Sequence, residues 1–128
     1  MKTNLINPMI SFYGGTRCVY LGRDVIRLLG KPAFVCLLVS DDRTKIALVP
    51  CEERHLMSFK VPENMFEKNG RGQMRIHSKQ FVESTLIGAG LDKEGTYRVT
   101  GIFENKHNAV IFCVSDLQEV AGNRSIIE

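Results

Sequence analysis

The chain has 128 residues, of which 44% are hydrophobic and 24% charged, the balance of one globular domain, with no room for two independent cores or long disordered tails. No stretch approaches the roughly 20 consecutive apolar residues of a membrane helix, and residues 1–9 lack the positive-then-apolar order of a signal peptide, so a cytoplasmic protein without membrane contact is expected. The net charge of +3 is modest, but it arises wholly in residues 1–64, where nine basic residues face six acidic ones.

Residues 10–13 and 17–20 read as short extended segments joined by the turn Gly14-Gly15-Thr16. Val25, Leu28 and Leu29 then repeat at helical spacing, with Gly30 as a stop and Pro32 beyond it, which predicts a short helix over 23–29. Residues 34–39 form an uninterrupted apolar run that needs cover on both faces. A polar turn at 40–44 leads to a weakly alternating strand over 45–49 that ends at Pro50. Residues 51–72 loosen into a connector, although 57–61 alternate like one more strand.

Beyond the connector, 73–77 read as extended, and Ser78 caps a helix whose apolar face is Phe81, Val82, Thr85 and Leu86. Gly88 and Gly90 close it. Tyr97, Val99, Gly101 and Phe103 alternate with polar or outward positions as one strand, 105–108 turn, and 109–114 form a second fully apolar strand. Ser115 and Gln118 have the spacing of a capping box, which predicts a last helix with Leu117, Val120 and Ala121 on one face and Gly122 as its stop.

The order strand, short helix, strand, polar turn, strand therefore occurs twice. Tyr20, Arg23, Val25 and Ile26 fall opposite Ile76, Lys79, Phe81 and Val82 at a constant offset. The fold class expected is α+β and β-rich, in a single domain over 1–128. Its first unit is 9–50, its connector 51–72 and its second unit 73–122.

With this arrangement, the stretch from Gly15-Thr16-Arg17-Cys18-Val19-Tyr20 through Leu28-Leu29-Gly30, the apolar run 34–39, the acidic turn Asp41-Asp42 and the strand ending at Pro50 resembles the AbrB/MraZ-like swapped-hairpin family of bacterial regulators. The resemblance implies two pseudo-repeated strand-helix-hairpin units in one small swapped-hairpin-like β-barrel. It also implies a non-enzymatic transcription regulator that binds duplex DNA, with Arg17 in the place of the family's Gly-Arg arginine and Arg23 and Arg27 on its basic helix. Lys31 belongs to the same basic stretch, and Lys79 enters through the internal repeat. A second basic stretch, Lys68, Arg71, Arg75 and Lys79, is the other candidate for phosphate contact.

Thr16 separates the glycine from Arg17, and Leu21 stands where the family has a helix-opening proline. These departures favour an alternative, a protein-interaction or accessory module that keeps the barrel and does not bind DNA. The two apolar strands, covered by only three short helices, imply a homo-oligomer.

Catalytic chemistry finds little purchase. Cys51, Glu52, Glu53 and His55 form the nearest local nucleophile-and-base set, yet they sit in a polar loop, and no enzyme is expected. Cys18, Cys36, Cys51 and Cys113 lack metal-ligand spacing and read as free thiols of a reducing compartment, so no metal or cofactor is expected even with His55, His77 or His107 as further ligands. Gly14-Gly15-Thr16-Arg17 lacks the ending of a phosphate-binding loop. Seven phenylalanines and three tyrosines without tryptophan show no clustered stacking platform for single strands.

Overall fold

The computed structural model describes residues 8–52, 57–68, 70 and 72–120. The first strand, β1 (Met9–Tyr13), sends Ile10 and Phe12 inward and leaves Met9 and Tyr13 exposed. It turns through one tight 3-10 turn at Gly14–Thr16, leaves it with Arg17 in the left-handed region at φ 58°, and returns as β2 (Cys18–Gly22). Gly14 is required there because a Cβ would lie 2.2 Å from the Lys93 carbonyl oxygen, while its amide donates to Gly95 at 2.8 Å.

Helix α1 (Arg23–Leu28) buries Val25 and Ile26. It ends as expected, with Gly30 at φ 89°, and Lys31 follows at φ 53°. A side-chain-bearing residue at Gly30 would be strained.

Strands β3 (Phe34–Val39) and β4 (Lys45–Pro50) form the expected hairpin. Its turn is held by Asp42, whose carboxylate accepts from the Thr44 hydroxyl at 2.7 Å, the Thr44 amide at 3.0 Å and the Ser40 hydroxyl at 2.8 Å. These donors hold the Asp42 pKa down at about 2, because each favours the charged form. The alternation at 57–61 yields β5 (Ser58–Lys60), paired to β3. Then β6 (Gln73–His77) pairs with β2. Helix α2 (Lys79–Gly88) starts where Ser78 accepts from the Phe81 amide at 3.3 Å, and it buries Phe81, Val82, Thr85 and Leu86.

Two expectations fail in the C-terminal third. The single alternating strand breaks at Gly101 into β7 (Thr96–Thr100), which pairs with β1, and β8 (Ile102–Glu104), which pairs with β9 (Ala109–Cys113) in the other sheet. Gly101 lies against the core at this crossing: a Cβ would sit 2.6 Å from the Phe112 ring and 2.7 Å from the Ile111 carbonyl oxygen. The second failure is the last helix. Residues Val114–Asp116 make a single 3-10 turn, Leu117 is extended at φ −63° and ψ 129°, and β10 (Gln118–Glu119) follows. Open backbone groups along β7 outcompete a local helix, since β10 pairs with Arg98 and Tyr97 and the Val120 amide donates to Thr96 at 2.9 Å. Ala121 and Gly122 lie outside the described residues.

The strands form two five-stranded antiparallel sheets, in the orders β10-β7-β1-β2-β6 and β5-β3-β4-β9-β8. Inward side chains of both, with Val25, Ile26 and Leu29 of the α1 region and the apolar face of α2, make one buried cluster. Phe12 stacks on Phe81 with centroids 5.8 Å apart, fixing α2 against the first sheet. The expectation of full cover for the run 34–39 holds only at its start, since Leu38 and Val39 are 42% and 39% exposed. No helix among the described residues is long and apolar enough to cross a membrane.

Candidate nucleic-acid interface

Among the cations first expected to meet DNA, Arg17 is committed inside the molecule. Its Nε donates to Glu83 at 2.5 Å, one Nη donates to the Gly14 carbonyl, and the other reaches Glu94 at 3.3 Å. One guanidinium thus ties the β1-β2 turn to α2 and to the link before β7. The pairing with Glu83 raises the Arg17 pKa, and Arg17 in turn holds the Glu83 carboxyl below its ordinary value. The left-handed φ at Arg17 aims its side chain back across its own turn.

The α1 cations turn toward the connector. Arg23 donates from Nε to the Met65 carbonyl at 2.9 Å and lies over Gly72, where a Cβ would come within 2.9 Å of its guanidinium carbon. Arg27 pairs with Asp24 at 3.3 Å and sits 5.3 Å from the centroid of Phe66, and Lys31 sits 4.7 Å from the same ring. The structure therefore gathers Arg27 and Lys31 on one aromatic ring. Lys79 is exposed in the first turn of α2, where its charge bears on Glu83.

A different set of residues faces outward from the first sheet. The ladder registers align Gln118, Arg98, Ser11, Tyr20 and Arg75 in one row across all five strands. A neighbouring row runs Thr96, Tyr13, Cys18 and His77, of which Cys18 is buried. Arg75, His77 and Arg98 are exposed, and no ion pair engages them among the described residues. The outward positions of β1, β2, β6 and β7 carry no Asp or Glu, and the exposed carboxylate on β10 is Glu119, paired in register with Tyr97. Asp116 shares a surface depression with Arg98, Thr100 and Gln118. Tyr20, Gln73 and Arg75 line a second depression of about 540 Å³ with Pro62.

The sequence shows no aromatic cluster, and the structure brings two of the three tyrosines together on this face. Tyr13 and Tyr20 are diagonal neighbours across the β1-β2 hairpin, edge-on with centroids 4.8 Å apart. Alternation in 73–77 and 96–100 already aims Arg75 and Arg98 to one side of their strands. The missing signal was the pairing of β7 with β1 and of β2 with β6, which no local pattern encodes.

The second sheet's outward face differs. Leu38, Ala47, Ile111 and Ile102 form a continuous apolar row across four strands, and Ile102 is 74% exposed. Toward β5 on the same face, the Cys36 thiol is pushed up to about 12 by burial and by the adjacent Cys51 thiol, which makes it a poor nucleophile at neutral pH. Among the described residues, no three His, Cys, Asp or Glu side chains gather as a metal site. Glu53 and His55 of the Cys51 loop lie outside those residues. Comparison with protein-family models, curated proteins and solved structures returned no match.

Proposed function

We propose that this chain is a non-enzymatic nucleic-acid-binding protein of regulator type, meeting phosphates on the outward face of the first sheet. The observation that carries this reading is the set Arg75, His77 and Arg98, in no ion pair among the described residues, on β6 and β7, whose outward positions hold no carboxylate. Such a face attracts a polyanion without first breaking internal ion pairs. Lys79, Arg27 and Lys31 are exposed and add long-range attraction, whereas Arg17 and Arg23 serve mainly to brace the turn and the connector.

The proposed architecture is the two-unit swapped-hairpin-like barrel, with units 9–50 and 73–122. Its support is a correspondence between ladders. Exchanging the units, with β5 of the connector taken as the counterpart of β1, maps β2·β6 and β4·β9 onto themselves, β3·β4 onto β8·β9, and β5·β3 onto β1·β7. The β1·β2 and β10·β7 ladders have no counterpart.

The apolar row Leu38, Ala47, Ile111 and Ile102 favours a second reading, a protein-interaction module or homo-oligomer using the second sheet. Both surfaces fit on one molecule. The test of the leading reading is a salt series with labelled nucleic acid. Binding should weaken as salt rises, and Arg75→Ala and Arg98→Ala should each lower the log-log slope by about 1. No binding at low salt refutes it.

A further inference from the structure

We propose that the first sheet's outward face takes a single-stranded nucleic acid, its bases resting on Tyr13 and Tyr20 and its phosphates on Arg98 and Arg75. This rests on the nucleic-acid reading above and names its substrate class. The central row places Tyr20 beside Arg75, with Ser11 and then Arg98 on its other side. Three inter-strand spacings, about 14 Å, separate the two arginine positions. A strand crossing the sheet therefore meets cation, aromatic ring and cation in order.

Tyr13 is 42% exposed although it borders Tyr20, so an aromatic surface remains open beside the cations. Every base has a π-face, and stacking on such a ring is open to any sequence. Ser11, Gln73, Thr96, Thr100 and Gln118 surround the pair with neutral donors and acceptors, suited to the exposed edges of unpaired bases. Asp116 bounds the row beside Arg98 and repels a phosphate that strays beyond it.

Duplex geometry fits less well. Reading a B-form major groove calls for a helix or a two-stranded ribbon that enters it, whereas here α1 has only six residues and α2 is laid against the core by Phe81, Val82, Thr85 and Leu86. The cations Arg27 and Lys31 at α1 are drawn to Phe66. A five-stranded face offers breadth, which a splayed single strand can cover.

The experiment is fluorescence anisotropy on the full chain at low salt, with labelled oligothymidylate and oligouridylate of about 12 nucleotides and a mixed-sequence duplex of matching length. Either single strand should bind about tenfold tighter than the duplex. The Tyr13→Leu, Tyr20→Leu double variant should lose about tenfold in single-strand affinity and leave duplex affinity unchanged. The corresponding double Phe variant retains both rings and should bind nearly as the parent, which separates stacking from damage to the fold. Duplex binding as tight as single-strand binding, with both indifferent to the Leu variant, overturns this inference and leaves the phosphate-binding function standing. Absence of salt-sensitive binding to all three probes overturns both.

Discussion

Across the first sheet the central outward row reads Gln118, Arg98, Ser11, Tyr20 and Arg75, and across the second it reads Leu38, Ala47, Ile111 and Ile102. Both rows stand on antiparallel ladders over a shared core, so the backbone does not account for their difference. The first surface holds charge and rings that burial would penalise unless a partner supplied phosphates and bases. The second exposes aliphatic side chains that gain from any apolar cover. Two faces of opposite chemistry on one small core are the basis of the proposed reading, with nucleic acid on one side and a second protein surface on the other.

The comparison breaks most severely where the chain passes between sheets. Gly101→Ala places a Cβ against the Phe112 ring and the Ile111 carbonyl, and an overpacked core position of this kind costs about 1–3 kcal/mol. Denaturant unfolding should show that loss. Stability within about 0.5 kcal/mol of the parent, the range of an ordinary surface change, would mean that the crossing is not the tight point described.

A smaller effect on folding, and a larger one on association, is expected from the second face. Leu38→Lys with Ile102→Lys places charge on exposed positions, so stability should stay within about 0.5 kcal/mol while self-association, followed by light scattering, is lost. Association unchanged by both substitutions would move the protein contact elsewhere.

The mildest test concerns the first face's neighbour, the Arg17 pair. Glu83 is held below its ordinary carboxyl value by Arg17, so the pairing stabilises the fold above that value and loses its effect as pH falls through the depressed one. Parent and Arg17→Gln proteins should therefore differ most above about pH 4.5, the ordinary glutamate value, and converge in stronger acid. A difference independent of pH would remove Glu83 from the account.

Local pattern made much of the fold legible: the Gly14-Gly15-Thr16 turn, the stop at Gly30, the Asp41-Asp42 hairpin and the Ser78 cap all lie where short-range chemistry puts them. It misled where tertiary pairing decided the outcome. Ser115 and Gln118 have helix-start spacing, yet β7 had an open edge for Gln118 and Glu119. Gly101 sits within one alternation, yet its lack of a side chain lets the chain cross the core. Arg17 stood out in sequence as the match to the Gly-Arg arginine of the resembling family, and the turn before it is what presents it to Glu83 and Glu94. Arg98 was inconspicuous, since its neighbours on the face come from residues 11, 20 and 75.

The most direct measurement is amide chemical-shift mapping during titration with a short single-stranded oligonucleotide. The account expects the largest, salt-sensitive changes on β1, β2, β6 and β7, around Tyr13, Tyr20, Arg75 and Arg98, with the second sheet silent. Changes concentrated on α1 around Arg23 and Arg27, or none on the first sheet, would contradict it.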